Sequence, residues 1–169
     1  MTNIVLIGFM GAGKTAVGQR LADQLQMDYL DTDELIVKTE KKSINDIFSK
    51  RGEQYFRDLE STILTTLQDY DNFVISTGGG MVLRPENVKM LKEIGSLVLL
   101  WAEPEVVYER IKREAHRPLL KVADPLHEIK ERLATREPIY RSAADLTVDT
   151  SRLTIDEGVE RIKQWIEST

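Results

Sequence analysis

Short apolar runs recur along the chain, and most of them lack the polar alternation that marks a strand with one face in water. The runs are Asn3–Ile7, Met27–Leu30, Phe73–Ser76, Leu97–Trp101 and Asp145–Val148. Runs of this kind predict strands of a parallel sheet that is covered on both faces. We therefore expect a sheet of five parallel strands with helices on either side.

Apolar residues at helical spacing lie between these runs. The two clearest stripes are Val17, Leu21 and Leu25 within Lys14–Gln26, and Phe56, Leu59, Ile63, Leu64 and Leu67. Helix starts are indicated by Pro104, by Pro125, by a capping box at Thr154–Glu157 and by a weaker cap at Ser43–Asp46. This alternation predicts an α/β three-layer sandwich with a five-stranded parallel sheet, folded as a single domain over residues 1–169.

Composition narrows the classes of function. The 169 residues are 41% hydrophobic, enough for a sizeable core, and no run approaches the roughly 18 apolar residues of a membrane helix. Because the chain has no cysteine, disulfides, thiolate metal sites and thiol catalysis are excluded. A net charge of −5 disfavours a general nucleic-acid binder. We expect a cytoplasmic protein without a nucleic-acid or membrane partner.

The segment Gly8–Thr15 matches the phosphate-binding pattern G-x-x-x-x-G-K-[ST] at every fixed position. It follows a predicted strand and opens a predicted helix, where backbone N–H groups and the positive helix end attract phosphate. Lys14 can supply a charge to the β- and γ-phosphates, and the Thr15 hydroxyl can bind Mg²⁺. The pattern therefore predicts binding of a nucleoside triphosphate.

Two carboxylates, Asp31 and Asp33, follow the second predicted strand. We expect this strand to lie beside the first strand, with ligands at the carboxyl ends of both. At this spacing the carboxylates could share a pocket, where one holds the water shell of Mg²⁺ and the other accepts a proton or orients a hydroxyl. They could equally cap the next helix. The sequence lacks the Asn-Lys-x-Asp segment of guanine-specific switches.

Three consecutive glycines, Gly78, Gly79 and Gly80, follow the third predicted strand. Glycine lets bare backbone approach a ligand closely, although a flexible turn would have the same composition. Both interpretations stay open at this point.

The combination of motifs resembles the shikimate kinase family over essentially the whole chain. The motifs are Gly8–Thr15, Asp31–Asp33, Gly52–Glu60, Thr77–Gly80, Arg117–Leu120, and Arg136 with Tyr140. The resemblance implies a P-loop kinase fold with a helical substrate-binding insert at about 32–70 and a lid at about 114–124. It also implies ATP-dependent phosphorylation of the shikimate 3-hydroxyl, on the route to chorismate and the aromatic amino acids, with Mg²⁺ as cofactor.

The same resemblance implies roles on the substrate side. The substrate-binding residues would be Asp33, Arg57, Gly78, Gly79, Gly80 and Arg136. Arg57 and Arg136 would bind the shikimate carboxylate with their planar forks, and Gly79 would offer a backbone N–H. Asp33 would hold ring hydroxyls and act as the candidate base. Glu60, one helical turn after Arg57, could fix the rotamer of that arginine.

Roles on the nucleotide side follow in the same way. The nucleotide-binding residues would be Gly11, Ala12, Gly13, Lys14, Thr15, Ala16, Arg110, Arg117 and Arg152. Thr15 and Asp31 would bind magnesium, the latter through water. Lys14, Asp33 and the lid residue Arg117 would form the catalytic set. Arg110 would stack on adenine.

The sequence alone leaves two other classes of function open. A kinase for gluconate or a nucleoside monophosphate shares the phosphate loop, the insert and an arginine lid. A nucleotide-binding switch or assembly protein would lack transferase chemistry altogether. We expect a monomer whose partners are ATP and a small acceptor, and we assign no role to the two histidines, His116 and His127.

Overall fold

The computed structural model describes residues 3–114 and 118–169. The strands are β1 (Asn3–Ile7), β2 (Asp28–Asp31), β3 (Phe73–Ser76), β4 (Gly95–Trp101) and β5 (Leu146–Asp149). The helices are α1 (Lys14–Leu25), α2 (Thr32–Glu40), α3 (Ile44–Leu67), α4 (Pro85–Ile94), α5 (Pro104–Ile111), α6 (Pro125–Ala143) and α7 (Ile155–Ser168). Short 3₁₀ helices span Met81–Leu83 and Pro118–Lys121. All five predicted strands are confirmed: β1 and β3 have the predicted bounds, and the other three differ by one or two residues at their ends.

The strands form one parallel sheet in the order β2-β3-β1-β4-β5. The expectation that the second strand lies beside the first is therefore wrong, because β3 lies between them. Its Ile75 is in register with Val5 of β1 on one side and with Leu30 of β2 on the other. The long helical segment between β2 and β3 gives the chain enough length to return across the sheet. As a result, the segments that follow β1 and β3 lie next to each other.

Alternation along the central strands divides the core into two layers. In β1, Ile4 and Leu6 pack on the side that holds α1 and α7, whereas Val5 and Ile7 pack on the side of α3 to α6. The three-layer sandwich is confirmed. Burial on both faces holds for β1 and for most of β3 and β4, but the edge strand β2 is only partly buried.

Helix starts follow the predicted signals. Pro104 and Pro125 occupy first-turn positions of α5 and α6, and the Thr154 capping box of α7 is complete. The Ser43 hydroxyl accepts a hydrogen bond from the Asp46 N–H at the start of α3. Helix α3 is kinked at Gly52, whose φ of 86° and ψ of 169° fit glycine alone.

Helices α2 and α3 carry a small hydrophobic cluster of their own around Ile36, Ile47 and Phe56. The cluster lies within the region 32–70 that the sequence assigned to a substrate-binding insert.

The predicted lid region is partly packed. Leu119, in the 3₁₀ turn Pro118–Lys121, is buried in the large core beside α6. The lid expected at about 114–124 therefore contains one turn that is packed on the core, because its Leu119 is apolar. Two residues of the sequence analysis, His116 and Arg117, lie outside the described residues. Closure of the region as a lid stays a prediction.

Among the helices of residues 3–114 and 118–169, none has both the length and the apolar character needed to cross a bilayer.

Candidate active site

The loop between β1 and α1 has the geometry of an anion site. Gly13, at the N-cap of α1, has φ of 102°, a left-handed conformation that glycine adopts without steric cost. No side chain caps this helix start. The first N–H groups of α1 therefore point toward the loop, where an anion can satisfy them.

Lys14 lies across this loop. Its ammonium donates hydrogen bonds to the Gly8 carbonyl and to the Phe9 carbonyl, the latter at 3.1 Å. The charge of Lys14 is thus held at the loop that the sequence assigned to phosphate.

Asp31 ends β2 and caps α2. Its Oδ1 accepts hydrogen bonds from the N–H groups of Asp33 at 2.8 Å and Glu34 at 3.1 Å. The capping interpretation is thereby confirmed for Asp31. Capping uses one carboxylate oxygen, so it is compatible with a further role for the second. Tyr29 lies near both Asp31 and Thr15: burial raises the pKa of Tyr29, Asp31 raises it further, and contact with Thr15 lowers it.

The triple-glycine turn is the point at which the candidate residues meet. A Cβ placed on Gly78 would lie 2.7 Å from Asp33 Oδ1 and 2.9 Å from Glu60 Oε2. A Cβ on Gly80 would overlap the Arg57 guanidinium. A larger residue at either position would have to displace the ends of these polar side chains.

The middle glycine, Gly79, connects this turn to the phosphate loop. Its Cβ position would be 3.5 Å from the Gly8 carbonyl oxygen, 3.7 Å from the Met10 nitrogen and 3.7 Å from Arg136 Nη1. The Arg136 guanidinium also lies 5.5 Å from the Phe9 ring centroid, within the range of a cation–π contact. One glycine therefore adjoins both the phosphate loop and a candidate substrate arginine.

Arg57 is held by two carboxylates of its own helix. Its Nη1 donates to Glu60 Oε1 at 2.7 Å and its Nη2 to Glu53 Oε2 at 3.3 Å. The expected Arg57–Glu60 pair is thus confirmed. Burial lowers the pKa of Arg57, but the charges and hydrogen bonds of Glu60 and Glu53 outweigh burial and raise it.

Glu60 is fully buried, and burial raises the pKa of its carboxyl to about 7. Arg57 lowers this pKa only in part, Asp33 adds to the rise, and Arg84 lowers it slightly. A group that titrates near neutrality therefore lies between the two candidate substrate residues Arg57 and Asp33.

Sequence reasoning missed two residues that support this region. Arg84 donates to the Ser61 hydroxyl at 3.1 Å and pairs with Asp58 at 2.9 Å, which ties α3 to the segment after the glycine turn. The buried Thr32 hydroxyl accepts a hydrogen bond from the Gly78 N–H at 3.1 Å. The position of Thr32 between two aspartates was the available signal for it.

The residues that the family resemblance assigned to the nucleotide base lie away from the glycine turn. Arg110 donates to the Gly11 carbonyl at 3.0 Å and to the Thr150 carbonyl at 2.7 Å. The Thr150 hydroxyl donates to the Ala12 carbonyl at 2.8 Å. Burial lowers the pKa of Arg110, opposed by Asp149. Arg152 is exposed in the turn after β5.

A phosphate-binding loop after the central strand of a parallel sheet, with a polar cluster around the turn that follows the neighbouring strand, is the arrangement of a P-loop kinase fold. The loop can bind a triphosphate, and the arginines and Asp33 can bind an acceptor that carries an anionic group and hydroxyls.

Comparison with known proteins narrows this class of P-loop kinases to one family. A family profile described as shikimate kinase matches residues 10–167. Shikimate kinase from Pelotomaculum thermopropionicum is 47% identical over 99% of this chain and 96% of its own, and that from Caldanaerobacter subterraneus is 47% identical over 96% and 94%. The solved shikimate kinase from Acinetobacter baumannii, in complex with shikimate, superposes with a TM-score of 0.94 at 37% identity, covering 99% of this chain and 94% of that one. The chain belongs to the shikimate kinase family.

Proposed function

We propose that this protein transfers the γ-phosphoryl group of ATP to the 3-hydroxyl of shikimate, giving shikimate 3-phosphate and ADP. The observation that carries the proposal is the convergence at Gly79, which lies between the phosphate loop and Arg136. Family membership supports the same activity, as does the shikimate bound to the A. baumannii relative.

The nucleotide would bind along the loop and the start of α1. We propose contacts from Gly11, Ala12, Gly13, Lys14, Thr15 and Ala16, with Lys14 on the β- and γ-phosphates. Lys14 would then exchange its hydrogen bonds to the Gly8 and Phe9 carbonyls for bonds to phosphate oxygens. Arg117 would act on the transferring phosphate from the lid.

Arg110 is proposed to stack on adenine. Its hydrogen bonds to Gly11 and Thr150 lie in the plane of the guanidinium, so they fix the orientation of the group without using its faces. Arg152 would contact the nucleotide from the exposed turn after β5.

The residues near Thr15 fit a magnesium ion. Mg²⁺ prefers oxygen ligands and keeps several waters, so phosphate oxygens and the Thr15 hydroxyl suffice beside one carboxylate held through water. Asp31 would supply that carboxylate through Oδ2, because its Oδ1 caps α2. The described residues contain no cluster of three or more His, Cys, Asp or Glu side chains suited to a metal, in keeping with such a water-rich site. Bound magnesium would neutralise charge on the phosphates.

The acceptor would bind at the triple-glycine turn. Arg57 and Arg136 would hold its carboxylate with paired hydrogen bonds, and Gly79 would add a backbone N–H. Asp33, beside Gly78, would hold the ring hydroxyls and orient the attacking one. Phosphoryl transfer depends mostly on positioning and charge stabilisation, so these contacts supply most of what the protein must contribute.

A coupled assay of ADP release tests the proposal, with shikimate, gluconate and AMP as parallel acceptors at fixed ATP and Mg²⁺. We expect turnover with shikimate and a product that co-migrates with shikimate 3-phosphate. Rapid turnover of gluconate or AMP with shikimate left untouched would refute the proposed substrate. ADP release that is independent of every acceptor would favour a nucleotide switch.

We further propose that the active species is a cytoplasmic monomer. All proposed contacts come from one chain, which supports a monomeric site. Light scattering coupled to size exclusion measures the mass directly, and a dimer at assay concentrations would contradict this expectation.

A further inference from the structure

Tyr140 is a buried polar residue that the proposed function leaves without a role. It lies one helical turn after Arg136 on α6, so both side chains project from the same face. Its ring is fully buried in the large core, and its hydroxyl donates a hydrogen bond to the Gly79 carbonyl at 2.6 Å. The hydroxyl is the part of Tyr140 that reaches the candidate site.

This bond differs from the others in the glycine turn. The Gly78 carbonyl accepts from the Met81 N–H at 3.2 Å, and the Gly80 carbonyl accepts from the Leu83 N–H at 3.1 Å. Both of those bonds are local. The bond to Gly79 comes from α6, so it fixes the Gly79–Gly80 peptide relative to Arg136. Such a tether matters here because three successive glycines have wide conformational freedom.

The same hydroxyl lies close to both candidate carboxylate-binding arginines. Burial raises the pKa of Tyr140, while the charge and contact of Arg136 and the charge of Arg57 lower it. Arg57 also lies against Gly80, and Arg136 Nη1 lies 3.7 Å from the Cβ position of Gly79. Tyr140 thus contacts the turn at the peptide that separates the two guanidinium groups.

We infer that Tyr140 is a positioning residue for the acceptor's carboxylate, because its hydroxyl holds the Gly79–Gly80 peptide in place between Arg57 and Arg136. The inference rests on the proposed function. In this role Tyr140 acts through Gly79, by ordering the groups that would bind the acceptor.

The test compares Tyr140→Phe with wild type on shikimate and on its methyl ester, which keeps the ring hydroxyls but lacks the carboxylate charge. Phe keeps the ring that packs in the core and removes only the hydroxyl. Loss of one neutral hydrogen bond predicts a KM for shikimate raised by about 3- to 10-fold, with the KM for ATP and kcat unchanged. On the ester, wild type and variant should have the same kcat/KM, because no carboxylate remains to be misaligned.

Tyr70→Phe is the matched control. Tyr70 precedes β3 at the opposite end of the sheet, where its ring packs on Phe73 at 4.9 Å between centroids. The Tyr70→Phe variant should leave every kinetic constant unchanged. Thermal unfolding of both variants separates loss of alignment from loss of stability.

An equal loss on acid and ester, or no loss on either, would overturn the inference while leaving shikimate kinase activity intact. If wild type does not phosphorylate shikimate, the proposed function fails instead. Amide hydrogen exchange then decides the inference without substrate: the Met81 and Leu83 amides, bonded to the turn, should exchange faster in Tyr140→Phe, and unchanged rates would overturn it.

Discussion

Glu60→Gln should remove a pH dependence of stability that the wild-type protein carries. Burial raises the pKa of the Glu60 carboxyl from 4.5 to about 7. Between these two values the folded protein keeps a proton that the unfolded chain has released. The free energy of unfolding therefore falls as the pH rises from 4.5 through about 7, and the loss is complete only above the folded pKa. Glutamine is uncharged throughout, so the variant lacks this contribution.

The size of this change in the free energy of unfolding follows from the shift in the Glu60 pKa. A rise from 4.5 to about 7 corresponds to about 3 kcal/mol over the full range, most of which falls between pH 5 and pH 8. Since Glu60 is fully buried, solvent screening does not reduce this figure. Removing the charge partner of Arg57 also changes the free energy of unfolding by an amount of its own. The diagnostic quantity is therefore how the stability difference between wild type and Glu60→Gln varies with pH.

Urea unfolding at pH 5, 6, 7 and 8 measures the slope for wild type and Glu60→Gln. Glu53→Gln is the matched control, because Glu53 also binds Arg57 but its side chain is 63% exposed. We expect the control to follow wild type and the Glu60 variant to gain stability relative to both as the pH rises. A constant difference between wild type and Glu60→Gln at all four pH values would refute the reasoning.

Five further substitutions test the proposed site. Lys14→Ala should lower kcat by about 10²-fold or more with the unfolding midpoint preserved, and near-normal turnover would contradict its role. Asp31→Asn should raise the Mg²⁺ requirement, whereas Asp33→Asn should weaken shikimate binding and turnover at an almost unchanged Mg²⁺ requirement; identical profiles would refute this division. Arg57→Lys and Arg136→Lys should each weaken shikimate binding by about 1.5–3 kcal/mol, which appears as a raised KM for shikimate. The KM for ATP should change far less. An unaltered shikimate KM in both would show that the carboxylate binds elsewhere.

Features that depend on local sequence could be predicted. The phosphate loop, the caps at Thr154 and Ser43, and the Arg57–Glu60 pair each depend on residues within one turn or loop, where spacing determines geometry. The strand order could not be predicted in the same way. Whether β3 inserts between β1 and β2 depends on how α2 and α3 return the chain, and no local pattern encodes that path.

The candidate site shows the same division between local and distant contacts. From sequence, the triple glycine indicated either a close approach to a ligand or a flexible turn. In the structure Gly78 and Gly80 make room for side chains of the protein, Asp33 and Glu60 beside the first and Arg57 beside the second. Those side chains come from α2 and α3, far along the chain. For the same reason the bond from Tyr140 to Gly79 could not be inferred from the motif that contains Tyr140.

The strand order also determines how far the phosphate loop lies from the glycine turn. Each segment directly follows its strand, the loop after Ile7 and the turn after Ser76, and β1 and β3 are hydrogen-bonded neighbours. Neighbouring strands lie about 4.8 Å apart, so the two segments start from adjacent, fixed positions at one edge of a buried sheet. Gly79 then lies against Gly8 because no side chain separates them. In-line phosphoryl transfer needs donor and acceptor held at a fixed separation, and the two proposed binding segments would obtain it from a pair of hydrogen-bonded strands.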